Sequence, residues 1–260
     1  MFLINLLSSL ISKQIPMIPL HFTFTLQDDS VVINCPTPAL AFKYEVLSAR
    51  LIIEKVKTIE SFSLSFEKKL LQTPSNFLIN NLVCRSYHIP GNSQKFYLSD
   101  MFSTSFCADY IYLVMTSQTS SMGSFTESPY NFLPWGLRSI KVTVNDRVFP
   151  SIPLDCSWGD QGNWIRAWLN LYSSSNENGG AFVDDGMLID VSRFRRGWAI
   201  FRVDLNSSGC SDTLRPKLMS TARLQLEFMT ATNPALRLYI LSNSVETLQI
   251  DSQRSVLKNY

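Results

Sequence analysis

The sequence predicts an all-β sandwich with a few short helices in its connections. Three observations predict it. Period-2 alternation recurs along the whole chain, three separate runs switch to helical spacing, and Ser/Thr/Asn/Gly-rich stretches of loop length divide the two kinds of segment. No internal repeat and no linker-length stretch interrupts the pattern, so it reads as one β domain.

The strands follow in order. Residues 21–27 place Phe22, Phe24 and Leu26 on one face and Thr23, Thr25 and Gln27 on the other. Residues 44–57 are apolar on both parities, which predicts a strand between two packed layers. Residues 82–89 and 110–115 are rich in aromatic and β-branched side chains. Residues 139–144 run into Asn145-Asp146 and then 147–149, a hairpin signal, because Asn and Asp tolerate positive φ. Residues 198–205 and 236–241 complete the larger strands, with a short one near 248–251. The cleanest alternation is Arg223-Leu224-Gln225-Leu226-Glu227-Phe228, with Leu224, Leu226 and Phe228 facing in.

Ile59, Phe62, Phe66 and Leu70 share one helical face and predict a helix over 59–71. Trp164, Trp168 and Leu171 do the same over 163–172, with Ile165, Leu169 and Tyr172 widening the stripe. Residues 190–196 form one short helix, closed by Gly197 and favoured by Arg195 and Arg196 at its negative end. Residues 118–127, 173–180 and 207–212 are loops by composition.

Composition narrows the function. Hydrophobic residues make up 45% of the 260, charged residues 17%, and 17 Phe, 9 Tyr and 5 Trp exclude a disordered chain. A net charge of +2 calls for no strongly charged partner. Arg193, Arg195 and Arg196 form the one basic cluster, better read as a solvated helix end than as a nucleic-acid stripe. Neither a specific nucleic acid nor a membrane is expected as a partner.

Five cysteines, Cys35, Cys84, Cys107, Cys156 and Cys210, are odd in number, widely spaced and without a C-x-x-C pair. They read as buried, reduced thiols. The N-terminal run MFLINLLSSLISKQIP is about the size of a signal-peptide core. It lacks a preceding Lys or Arg and an A-x-A-like site, and it is too short to span a bilayer. Residues 1–18 are therefore expected to be a remnant, or the start, of a missing upstream region, with the β domain over 19–260. The sequon at Asn206 arises often by chance and says nothing about compartment.

No catalytic constellation is legible. G-x-S-x-G, Walker A, H-E-x-x-H and G-x-G-x-x-G are all absent. His21 falls on a polar strand face, and His88 precedes Ile89-Pro90-Gly91. Cys84 and His88, four residues apart along a strand, are too distant to share a metal unaided. Asp184-Asp185-Gly186 lacks the spaced oxygen ligands of a calcium loop and reads as a polar turn. No catalytic, cofactor or metal residue is assigned, no cofactor is expected, and the protein is not expected to be an enzyme.

Five motifs in order carry a family resemblance from Pro19 to Tyr260. Asn81-Leu82-Val83-Cys84-Arg85-Ser86-Tyr87-His88-Ile89-Pro90 ends a strand in aromatic-x-Ile-Pro. Ser128-Pro129-Tyr130-Asn131-Phe132 is similar to an Asn-Pro-Phe-Asn-Phe loop, followed by a hairpin strand, Asn145-Asp146, and Pro150 and Pro153. Trp164-Ile165-Arg166-Ala167-Trp168 resembles a helix after a Gly-Asp/Asn step. Asp185-Gly186, Ile189, Phe194, Gly197, Ile200-Phe201 and Asp204-Leu205 resemble a "D-E-G … I … G-Y … F-D-L" run. Residues 249–260 resemble an "I-E-I-D-x-x-R-N-V-x-x-D-Y" terminus. Together they resemble the C-terminal jelly roll of the double jelly-roll major capsid proteins of Polinton (Maverick) elements and their uncharacterised animal-genome relatives.

The departures are Ser128, Ser255 and Asn259, and the acid-free stretch 206–211 apart from its last neighbour Asp212. The resemblance implies a jelly-roll sandwich, a capsid-type structural role, trimeric capsomers, and a virion location for an active element, otherwise an intracellular one. It also implies a first jelly roll that this sequence does not contain, so the partner is either self-association or a separate first jelly roll. The competing reading is a domesticated, non-enzymatic β-sandwich binding module. A lone jelly roll should expose a surface its neighbour once covered. The run 2–15 and the loop Tyr130-Asn131-Phe132-Leu133-Pro134-Trp135 are the candidates, unless that loop folds back over its own sandwich.

Overall fold

The computed structural model describes residues 23–35, 42–50, 52, 57–102, 108–158, 163–175, 189–205 and 221–259. The chain forms nine strands among these residues: β1 (Ser75–Ile89), β2 (Lys95–Leu98), β3 (Tyr110–Ser117), β4 (Leu137–Val144), β5 (Arg147–Asp155), β6 (Phe201–Asp204), β7 (Ala222–Phe228), β8 (Leu236–Ile250) and β9 (Val256–Asn259). Five helices accompany them: α1 (Asp29–Val32), α2 (Glu60–Gln72), α3 (Gln118–Met122), α4 (Trp164–Ser175) and α5 (Val191–Arg195).

The first eight strands make two antiparallel sheets. One runs β1-β8-β3-β6 and the other β2-β7-β4-β5. Within them β1 neighbours β8, β2 neighbours β7, β3 neighbours β6 and β4 neighbours β5, so the indices of each pair sum to nine. A ribbon folded once at its middle and then wrapped into two sheets gives this order. The protein is therefore an all-β jelly roll with a few short helices.

The chain divides into two compact units. The larger comprises Gln27–Lys43 and Val83–Ser244; the smaller comprises Tyr44–Leu82, Val245–Tyr260 and the described residues before Gln27. The core of the larger unit is built from inward positions. Ile111, Leu113 and Met115 of β3, Phe201 and Val203 of β6 and Leu236, Leu238 and Ile240 of β8 come from one sheet. Ile140 and Val142 of β4, Leu154 of β5 and Leu224, Leu226 and Phe228 of β7 come from the other. Alternation explains β7 in full: its apolar residues are buried, while Arg223, Gln225 and Glu227 are not. In β3 the alternation lapses. Val114 and Thr116, on the opposite parity, are buried too, because α3 packs on β3 and joins Thr116 Oγ1 to Ser120 Oγ at 2.7 Å.

The hairpin signal is realised as a two-residue turn. Asn145 and Asp146 have φ of 46° and 64°, and Val144 pairs with Arg147 across them. Two positive φ values match the right-handed twist of the flanking strands. In α5, Asp190 is the N-cap: its Oδ1 accepts from Arg193 N at 2.7 Å. Gly197 follows with φ 118°, as its place after the helix predicts.

In the smaller unit β9 pairs with the far end of β8, from Thr247↔Asn259 to Ile250↔Val256. Asn81 Nδ2 donates to Glu246 Oε1 at 2.6 Å, and Arg254 Nη2 meets Glu67 Oε1 at 2.7 Å.

Several expectations need correction. Residues 23–27 are irregular, with Phe24 and Leu26 exposed; 21 and 22 lie outside the described residues. Residues 44–50 are also irregular, and Leu47 is 87% exposed, so no buried strand forms there; 51 and 53–56 lie outside the described residues. Apolarity on both parities selects no face, and so no register. Helix α2 forms where predicted, but only Leu70 of its stripe is buried, while Ile59 and Phe62 are exposed. In α4, Trp164 and Leu171 face inward with Ala167, whereas Ile165, Leu169 and Tyr172 face out. The strands read at 236–241 and 248–251 are one continuous β8.

Candidate functional site

The predicted candidates distribute over the surface and do not converge. His88, at the end of β1, is exposed, and its Nδ1 lies 3.2 Å from Gln118 Oε1. Cys84 is half-buried on the same strand, and burial raises its thiol pKa. His21 and the Asp184-Asp185-Gly186 turn lie outside the described residues, as do Cys107, Cys210 and the run 2–15. Among the described residues no three His, Cys, Asp or Glu side chains gather as a metal site. No helix among them is long and apolar enough to cross a membrane.

The basic cluster sits on α5 and the turn after it. Arg193 Nε lies 3.9 Å from Asp190 Oδ2 across an exposed i,i+3 pair. Arg195 lies over the Trp164 ring, 5.1 Å from its centroid, and so ties α5 to α4. Asp190 itself is held below the ordinary carboxylate range by the Arg193 backbone N–H first and the Ser192 hydroxyl second. These are helix-end roles.

The aromatic loop folds back over its own sandwich. Phe132 forms a parallel bridge with Trp198: Phe132 N donates to Gly197 O at 2.8 Å, and Ala199 N donates to Phe132 O at 2.8 Å. Trp135 Nε1 donates to Met115 O at 3.4 Å. Phe132, Leu133, Pro134 and Trp135 are all partly buried, and only Tyr130, at 68% exposure, projects as a large apolar group. The loop does not supply the predicted apolar patch.

Sequence reading missed a buried hydroxyl cluster at the start of α3, within a stretch read as loop. Ser117 caps the helix by accepting from Ser120 N at 3.0 Å, and its Oγ donates to Glu127 Oε2 at 2.7 Å. Ser117 as an N-cap was the available signal. Among the described residues no imidazole bonds Ser117, and its hydroxyl serves the helix cap. A small cleft of about 280 Å³ lies beside Trp135, Gly136 and residues 230–233. Its Thr232 hydroxyl already donates to Pro90 O at 3.0 Å and accepts from Ser93 N at 3.2 Å, which leaves a structural knot.

What the geometry defines is therefore a fold class, an all-β jelly roll. No family model matches the chain. It is 23% identical over 200 residues to an uncharacterized protein of Caenorhabditis elegans, which covers 74% of this chain and 46% of that protein. Among solved structures, a chain of the Sputnik virophage matches at TM-score 0.41 and 16% identity, over 72% of this chain and 39% of that one. The mavirus major capsid protein matches at 0.40 and 12%, over 72% and 42%. The chain thus spans less than half the length of each of these relatives.

Proposed function

We propose that the chain is a capsid-type structural protein, akin to the second jelly roll of a Polinton-type double jelly-roll major capsid protein, with residues 19–260 as its jelly-roll domain. One observation carries the reading: the residues of the family-like motifs occupy architectural positions of an eight-strand jelly roll. Ile89 is fully buried at the end of β1, and Thr232 binds the Pro90 carbonyl beyond it. Phe132 and Gly197 join two loops by backbone hydrogen bonds. Phe194 and Phe201 meet edge to face in the core, ring centroids 5.8 Å apart. Leu205 is buried after β6. Motifs with such roles support a structural protein, since a catalytic motif places reactive groups in a cleft.

On this reading the chain acts by assembly, with itself or with a first jelly roll supplied separately, into capsomers of a virion. The test is sedimentation and electron microscopy of the chain alone and co-expressed with a first jelly roll of the family. Defined oligomers that form only in the mixture support the proposal. A monodisperse monomer in both preparations overturns it and favours the binding module.

A further inference from the structure

Two loops meet at the small cleft beside Trp135, and both are fixed in place. On one side, Leu137 N donates to Pro134 O at 2.9 Å across a turn whose central residues, Trp135 and Gly136, have φ of 50° and 66°. Positive φ at both central positions is the type I′ pattern, which favours Asn, Asp or Gly at the place Trp135 takes. A bulky side chain there is held against its backbone preference. Its indole is anchored from behind, with Nε1 donating to Met115 O at 3.4 Å. On the other side, the segment from Met229 to Asn233 is tied down three times. Met229 N donates to Gly136 O at 2.8 Å, Thr232 N to Ser93 O at 3.0 Å, and Asn92 N to Thr232 O at 2.6 Å. The cleft of about 280 Å³ is therefore preformed, and a ligand would not have to order it.

The polar groups of its lining are in part unspent. Thr232 is committed to its knot. Thr230 and Asn233 are exposed, and their side chains make no hydrogen bond among the described residues. Thr230 Oγ1 faces the turn, since a Cβ at Gly136 would lie 3.8 Å from it. A hydroxyl and a primary amide each donate and accept. Trp135 is the one large apolar residue of the lining, and no lining residue is charged. The ligand that suits these groups has hydroxyls that both give and take hydrogen bonds, and an apolar ring face. The volume lies just under the range of drug-sized ligands, which leaves room for a single ring.

We propose that this cleft binds one neutral hexose ring, its C–H face against Trp135 and its hydroxyls on Thr230 Oγ1 and the Asn233 amide. A free sugar and the terminal unit of a glycan share this chemistry. The proposal does not rest on the capsid reading, because an assembling chain and a monomeric binding module can carry the cleft alike.

The test is saturation-transfer NMR on the full chain, a method that serves monomers and assemblies equally. The probes are glucose, galactose and mannose, each to about 50 mM, since a single ring binds with a Kd on the order of 1–10 mM. At least one hexose should take up saturation, most strongly at the protons of one ring face, and should saturate with concentration. Its methyl glycoside separates the sources: equal binding assigns a glycan end, and binding of the free hexose alone assigns a free sugar. Thr230→Val/Asn233→Ala should weaken binding at least tenfold. Asn233→Ala alone, at an exposed position, gives the same direction if the double variant fails to fold. Tyr130→Ala, at an exposed aromatic outside the lining, should leave binding unchanged. Three silent hexoses at about 50 mM, binding that survives in the folded variants, or loss of binding in Tyr130→Ala would each overturn the proposal. So would inorganic phosphate displacing the hexose at a lower concentration than unlabelled hexose does, because the site would then be one for anions.

Discussion

Gly197→Ala separates two local costs that the fold imposes at one position. Gly197 has φ 118°, in a region that L side chains rarely adopt. Holding alanine there costs about 1–2 kcal/mol. A Cβ at 197 would also overlap the side-chain oxygen of Asn131, in the loop that bridges Trp198. Asn131 is exposed and can turn away, at about 0.5–1.5 kcal/mol for an off-rotamer χ angle. The sum is about 1.5–3.5 kcal/mol, or a fall in Tm of about 3–14 °C for a unit of this size. Urea unfolding of wild type, Gly197→Ala, Asn131→Ala and the double variant resolves the parts. The double variant should recover about 1 kcal/mol relative to additivity and retain the backbone cost. A single-variant loss under about 0.5 kcal/mol would refute the left-handed backbone, and additivity within that margin would refute the overlap.

Three further outcomes follow from the core and its titratable groups. Phe194→Ala removes a fully buried ring stacked on Trp158 and edge-on to Phe201, and should cost about 3–5 kcal/mol, whereas exposed Leu169→Ala should stay within about 0.5; comparable losses would contradict the burial assignments. The Tyr110 phenol is pushed up to about 12, by burial first and by neighbouring Tyr112 second, against a smaller lowering by Arg202. Its folded pKa lies above the unfolded value of about 10, so its contribution is full below pH 10 and is lost as pH rises from about 10 to 12. Stability should fall across that window and fall less in Tyr110→Phe; identical slopes would exclude Tyr110 as the source. Alkylation of the unfolded, unreduced chain should modify all five cysteines, and in the native protein Cys156 should react after half-buried Cys84, because deeper burial raises its thiol pKa; two protected pairs in the unfolded chain would overturn the reduced-thiol reading.

How much of this was legible depended on whether one face decided a residue's position. β7 was readable because one face meets the core and the other meets solvent or charge partners such as Lys95. The short helix ending at Gly197 was readable because a cap, an apolar anchor at Phe194 and a glycine fall within eight residues. The β2 segment Lys95-Phe96-Tyr97-Leu98 was too short to show a period, and β1 begins at Ser75, before the apolar enrichment does. The outer stripe of α4 misled for a physical reason: its apolar spacing is real, but Ile165 and Leu169 remain 47% and 49% exposed. Periodicity reports which side chains share a face, not whether anything covers that face. For the candidate site, the sequence offered no reactive cluster to place, and the Ser117 cap was hidden in a Ser/Thr-rich stretch that reads as loop because its helix is only five residues long.

That strand order carries a last prediction, about how the chain folds. Of the four pairs whose indices sum to nine, only β4 and β5 are neighbours in sequence, joined by Asn145-Asp146. The pairs β3–β6, β2–β7 and β1–β8 close progressively longer loops, each at more entropic cost until the one inside it has formed. We therefore expect the β4–β5 hairpin to belong to the folding nucleus. Asp146 tests this cleanly: it is exposed, has φ 64°, and lies at the turn. Asp146→Ala makes the left-handed position less favourable by about 1 kcal/mol, roughly a fivefold change in rate. In a nucleus, that cost falls on the folding limb of the chevron and leaves unfolding unchanged. Leu238→Ala, at a fully buried site of β8 paired with Met115, should instead mainly speed unfolding, since its sheet closes late. If Asp146→Ala left the folding rate untouched and accelerated unfolding fivefold, the inside-out order of closure would be wrong, and the long β1–β8 ribbon would have to form before its own fold.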